Sequence, residues 1–211
     1  MPKTVLCYGD SNTWGAATVS RPDDRYAPDE RWPGIVREAL GADWLVIEEG
    51  LNGRTTISDD PVEGAEKNGR TYLGPCLQSH RPLDVVVIML GTNDLKARFD
   101  KSPQEIADGI GVLVDMVKAA GAGHSGGTPR IIVVSPAPTR EEFPMHAEMF
   151  VGAEPKSKKL AGFYRALAED RGVEFFDAGS VIESSFHDGF HLDPEAHSAL
   201  GIAIAAEILR D

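Results

Sequence analysis

Residues 85–90 read Val-Val-Val-Ile-Met-Leu, and residues 131–134 read Ile-Ile-Val-Val, with no polar interruption in either run. A strand with one wet face alternates apolar and polar side chains. An unbroken apolar run is buried on both faces, which is the situation of a parallel sheet covered by helices. These runs predict strands over 84–90 and 130–135, and three more are predicted over 5–8, 44–48 and 173–177. Helical patterns fall between them. Trp32, Ile35, Val36, Ala39 and Leu40 recur at helical spacing before Gly41. Ser102-Pro103-Gln104-Glu105 is a capping box with proline at the first helical position. It opens a stripe of Ile106, Ile110, Leu113, Val114 and Val117. Leu160, Phe163, Tyr164 and Leu167 mark another helix. Asp193-Pro194 is expected to cap the last, with Ala199, Ile202, Ala203, Ala206 and Leu209 on its inner side. Strands alternating with helices predict a doubly wound α/β layer structure.

Two stretches break the alternation. Residues 59–80 are rich in glycine, proline and charge and are predicted as a long loop with at most a helical turn. Residues 136–155 carry Phe143, Met145, Met149 and Phe150 among charges. A connection that long and that apolar is expected to cover something: a pocket, a lid seat or a subunit contact.

The length of 211 residues suits one domain over 1–211 with one sizeable core. The formal net charge of −12 repels phosphate backbones and anionic headgroups, so neither nucleic acid nor membrane is expected as a partner. No apolar run approaches the length of a spanning helix. A strand-like run begins at Thr4 where a secretory leader would place its apolar segment. With only Cys7 and Cys76, the chain has no disulfide scaffold, and a cytoplasmic location is expected. Cys7 is predicted to pack as a small hydrophobe, and Cys76, away from every motif, to be inert.

The polar motifs sit at strand ends. The first strand runs into Gly9-Asp10-Ser11, the second into Gly50-Leu51-Asn52-Gly53, the third into Gly91-Thr92-Asn93-Asp94. Open α/β sheets bind ligands beyond the carboxyl ends of their strands, so all three turns are expected at one edge. Ser11 is a candidate acyl-accepting nucleophile and needs a base. His191 is the candidate base, with Asp188 three residues earlier to orient it. The N–H groups of Ser11 and Gly53 and the amide of Asn93 are candidate donors to an oxyanion. Each motif also has a plain structural reading. Gly-Asp-Ser at a strand end is more often a turn and helix cap, and Asp188 and His191 sit before a helix that needs an N-terminal partner. Their joint presence carries the argument.

His187, Asp188, His191 and His197 raise the question of a metal. No cysteine pair or HExxH spacing accompanies them, so no metal and no cofactor is expected. His80, His124 and His146 are assigned to loops without partners. Trp14 is a candidate pocket wall or a structural aromatic. Arg54 and Glu48-Glu49 are expected to form structural ion pairs.

Taken together, Gly9-Asp10-Ser11, the glycine after the second strand, Gly91-x-Asn93-Asp94 and Asp188-x-x-His191 resemble the four blocks of the SGNH (GDSL-type) hydrolases, in order and across the whole chain. Gly9-Asp10-Ser11-x-Thr13-Trp14-Gly15, Glu48-Glu49-Gly50-Leu51-x-x-Arg54-Thr55-Thr56, Leu83-Asp84 and Ile88-Met89-Leu90-Gly91-Thr92-Asn93-Asp94 are similar to the arylesterase and acyltransferase branch. The resemblance implies a three-layer α/β/α sandwich around a five-stranded parallel sheet, a flavodoxin-like arrangement. It implies Ser11 as nucleophile and first oxyanion donor, Gly53 and Asn93 as further donors, and His191 and Asp188 as base and orienter. It also implies a homo-oligomer assembled through such loops. The fourth letter of the signature is Asn12 rather than leucine, which alters the surroundings of Ser11. The function expected is a serine esterase for short-chain aryl and alkyl esters, with transfer to alcohols as a further capacity. A carbohydrate O-acetyl esterase and a non-catalytic small-molecule binding module are the alternatives.

Overall fold

In the computed structural model, residues 2–20, 22–142 and 148–210 are described. Phe143, Met145 and His146 lie outside them. The elements are β1 (Lys3–Gly9), α1 (Ser11–Trp14), α2 (Trp32–Leu40), β2 (Trp44–Gly50), α3 (Gly69–His80), β3 (Val85–Met89), α4 (Pro103–Ala119), β4 (Arg130–Ser135), α5 (Ala153–Arg171), β5 (Glu174–Asp177) and α6 (Pro194–Leu209). The five strands form one sheet in the order β2-β1-β3-β4-β5, every neighbouring pair parallel.

Strand side chains alternate between two cores. Leu6, Tyr8, Val86, Ile88, Ile131 and Val133 face the helices α3, α4 and α5. Val5, Cys7, Val85, Val87, Ile132 and Val134 face α2 and α6. The three layers follow from this: β3 is apolar at every position, and β1 and β4 are apolar through their middles, because both faces there meet helices. The capping box at Ser102 forms in both halves, as the sequence predicts, and the stripe of α4 is buried.

Two expectations about the helices are corrected. The 59–80 stretch holds the twelve-residue helix α3 rather than a loop. Gly69, Gly74 and Pro75 lower helical propensity there, but Leu73, Cys76 and Leu77 bury one face. The Tyr8 hydroxyl donates to Gly69 O at 2.6 Å and ties the first turn to β1. The inner side of α6 is also different. His197, Leu200, Gly201, Ile204, Ala205 and Ile208 are buried, whereas Ile202 and Leu209 are exposed. The helix is apolar all round, so periodicity alone cannot choose its face. Contact with α2 chooses it: a Cβ on Gly201 would stand 2.5 Å from Ile35 Cβ and 2.9 Å from Trp32 O. Asp193 occupies the cap position without capping α6 through its side chain. Its Oδ1 accepts instead from the Thr18 and Ser185 hydroxyls, at 2.6 and 2.8 Å.

Candidate active site

β1, β2 and β3 end at one edge, and the turns beyond them are packed together. Asp10 leads β1 into α1, its Oδ1 accepting the Asn12 N–H at 2.9 Å. Ser11 is thereby the first residue of a one-turn helix. That turn lies directly on β2: a Cβ on Gly50 would fall 2.1 Å from Trp14 N, so only glycine lets the two backbones approach.

His191 reaches Ser11 from the other end of the chain. Its Nε2 stands 3.0 Å from Ser11 Oγ, and its Nδ1 stands 2.7 Å from Asp188 Oδ2. Asp188 Oδ1 accepts the N–H groups of Phe190 and His191 at 3.0 and 2.9 Å. Burial pushes the Asp188 carboxyl up, but the hydrogen bond and charge of His191 and these two N–H groups outweigh it, and it is held below the usual carboxylate range. An ionised carboxylate only accepts, so Nδ1 carries the ring proton. Nε2 is left free to accept from the Ser11 hydroxyl.

Asn93 begins the turn after β3. Its Nδ2 donates to Arg54 O at 3.1 Å and lies 3.4 Å from Asp10 Oδ2. Gly53 has a φ of +79°, a left-handed conformation that a side chain would strain. Ser11, Gly53, Asn93 and His191 line one cleft of about 200 Å³. Met149, Phe150 and Phe190 form its apolar wall, and Glu63 and Lys96, paired at 2.5 Å, a charged one. Phe190 stacks between Phe150 and the His191 ring, with centroids 4.8 and 4.3 Å away.

The GDSL-like lipase/acylhydrolase family model matches residues 7–199. The chain belongs to this family. As a GDSL-type enzyme it is a carboxylic ester hydrolase, and solved structures of esterases share its shape. The aryl esterase of M. smegmatis is 46% identical over 98% of both chains, with a TM-score of 0.92. A carbohydrate acetylesterase from Sinorhizobium meliloti, Est24, is 45% identical over 98% of both chains, with a TM-score of 0.90. A lipolytic G-D-S-L protein of Veillonella parvula, 13% identical with a TM-score of 0.69, shares the fold. No curated protein matches the chain.

The GDSL-type frame also shows what sequence reasoning missed. Arg54 forms no ion pair with Glu48 or Glu49. It is buried, and its Nη1 donates to the carbonyls of Gly9, at 2.8 Å, and Glu49. With its own carbonyl on Asn93, it joins the ends of three strands. Glu48 pairs with Arg31 and Arg37 instead. Trp14 lies outside the cleft wall, under the Arg25 guanidinium at 4.6 Å. Of the four C-terminal residues weighed as metal ligands, Asp188 and His191 meet through their side chains, while His197 is buried against Trp32 and Tyr26.

Asn12, the departure from the signature, spans the site: its Nδ2 donates to Phe190 O at 3.0 Å and holds the His191 loop against α1. Asn12→Ala strands that carbonyl. The expected result is a loss of about 1 kcal/mol in urea unfolding, the net worth of one buried hydrogen bond, together with a several-fold fall in kcat at unchanged KM. An unaltered kcat would show that the loop is held without this bond.

Proposed function

We propose that Ser11, His191 and Asp188 act as a triad and that the ester substrate carries a short acyl chain. The observation that carries this reading is the continuous chain of hydrogen bonds from Ser11 Oγ through His191 to Asp188, joining residues 180 apart in sequence. Ser11 Oγ attacks the ester carbonyl as His191 Nε2 takes its proton. The N–H groups of Ser11 and Gly53 and the Asn93 amide hold the oxyanion. His191 then protonates the leaving alkoxide. Water resolves the acyl-enzyme: it gives a proton to His191 as it adds to the acyl carbon, and His191 passes that proton to Ser11 Oγ as the carboxylic acid leaves. A cleft of about 200 Å³ is smaller than a typical drug-sized site and favours short acyl groups. Met149, Phe150 and Phe190 keep its wall dry, so an alcohol competes with water at the acyl-enzyme. We assign the chain one domain, a cytoplasmic location and self-association.

Asn93→Ala tests the oxyanion assignment. It is expected to cut kcat by about 10²–10³, or 2.7–4 kcal/mol, with KM little changed. A loss confined to KM would make Asn93 a binding residue instead.

The reading as a whole is tested with nitrophenyl esters of rising acyl length and acetylated sugars, in water and in aqueous alcohol, and by fluorophosphonate labelling of a separate sample. Labelling at Ser11, turnover falling beyond short acyl chains, and ester exchange in alcohol are expected. No label at Ser11 would overturn it. The second reading, a sugar O-acetyl esterase, is favoured by the Glu63–Lys96 pair and Asn52 in the cleft wall, groups suited to hydroxyls. Sugar acetates turning over faster than nitrophenyl acetate would select it.

A further inference from the structure

Helix α3, which the sequence reading takes for a loop, aligns three side chains that the esterase chemistry leaves unused. Tyr72, Cys76 and His80 stand four residues apart, so all three lie along one side of the helix. That side meets Glu49, near the end of β2. His80 Nε2 is 3.0 Å from Glu49 Oε1, and the Tyr72 hydroxyl donates to the same oxygen at 3.3 Å. One ligand atom each from Glu49, Cys76 and His80 lies within 4.8 Å of the other two. Cys76 is fully buried, yet it faces a carboxylate, an imidazole and a phenol rather than aliphatic neighbours alone.

We propose that Glu49 Oε1, Cys76 Sγ and His80 Nε2 form a binding site for one zinc ion, with the Tyr72 hydroxyl or water as the fourth ligand. Sulfur, nitrogen and oxygen donors together suit zinc better than calcium or magnesium, which take oxygen alone. Tetrahedral bonds of about 2.0–2.3 Å put donors roughly 3.5 Å apart, so the three side chains draw in by about 1 Å. The carboxylate and the thiolate cancel the ion's charge. The Arg54 guanidinium, stacked on Tyr8 at 4.2 Å and 5.7 Å from the Tyr72 ring, is a cation close to the site. The side chains of His80 and Glu49 are 30% and 19% exposed, which leaves an entry path. Zinc binds sulfur as the thiolate, so binding releases a proton. The ion ties the end of α3 to β2 next to Gly50 and takes no part in ester cleavage.

The test uses the full chain freed of metal by a chelator. Zinc is titrated against a chromogenic competitor, and cobalt(II) is added separately to read sulfur ligation. The expected result is one equivalent per chain, with a thiolate-to-cobalt charge-transfer band that Cys76→Ser abolishes. His80→Ala and Cys76→Ser each weaken zinc at least tenfold, and zinc raises the thermal midpoint of the parent and not of either variant. His191→Ala, which removes a different histidine–carboxylate pair, leaves binding unchanged. The absence of stoichiometric binding overturns the proposal, as does binding that survives His80→Ala and is lost in His191→Ala. Should Cys76→Ser fail to fold, His80→Ala, whose side chain is part-exposed, decides the matter in the same way.

Discussion

Ser11→Ala is expected to lower kcat for nitrophenyl acetate by about 10⁶-fold, and adding His191→Ala to it is expected to cost almost nothing more. Groups that act as a unit show this non-additivity, because removing one leaves the others without a task. The geometry calls for it. His191 Nε2 meets Ser11 Oγ at 3.0 Å, and every proton transfer proposed for it serves a bond made or broken at that oxygen. Asp188→Asn should cost less, about 10⁴-fold, by favouring the ring tautomer that carries its proton on Nε2. Initial rates of the three single variants and the double variant check all of this in one series. If the double variant is slower than Ser11→Ala by a further large factor, His191 acts independently of the serine and the triad assignment is lost.

The second large effect is on stability. His197 is fully buried in α6, its Nδ1 accepting the Trp32 N–H at 3.2 Å and its ring edge-on to Tyr26. Its Nε2 has no hydrogen-bond partner among the described residues. Burial, helped by the charges of His191 and Arg31, pushes its pKa down to about 3. In the unfolded chain an ordinary histidine titrates near 6.5. Between those values the unfolded chain binds a proton that the folded chain refuses. Stability is therefore complete above pH ~6.5 and falls by about 1.4 kcal/mol per pH unit below it, reaching on the order of 4–5 kcal/mol near pH 3. Asp10 works the other way. Burial raises it to about 6, above its unfolded value, so it adds stability as pH falls from about 6 toward 4. The two partly offset, so the comparison must be between chains. His197→Asn keeps an acceptor for the Trp32 N–H and cannot titrate. Urea unfolding from pH 7 to pH 4 should show a shallower acid loss in that variant, by about 1 kcal/mol per unit. Parallel curves would mean that His197 takes up its proton in the fold.

Much of the architecture was legible because it rests on short-range signals. The runs at 85–90 and 131–134 became β3 and β4, and the box at Ser102 became the start of α4. The candidate site was legible for a related reason: three motifs at three strand ends must share an edge in a parallel sheet. What failed depended on partners far away in sequence. Leu73, Cys76 and Leu77 do carry helical spacing after Asn68, whose side chain caps α3. That signal was outweighed by two glycines and a proline, which only burial against β1 and β3 overrides. Ile202 is expected inside α6 and is exposed, while His197 is buried, because composition cannot say which side of an apolar helix meets α2.

From the sequence alone came the parallel α/β class, the strand-end placement of Ser11, Gly53 and Asn93, and the pairing of Asp188 with His191. These follow from period, run length and spacing, which act within a few residues. Only the tertiary structure decided the cleft wall of Met149, Phe150 and Phe190, the brace that Arg54 makes across three strand ends, and the Asn12 bond to Phe190. It also decided the meeting of Glu49, Cys76 and His80. Each of these is a contact made when separately formed elements pack, and its partner is chosen by the shape of the assembled sheet and helices rather than by any neighbour along the chain.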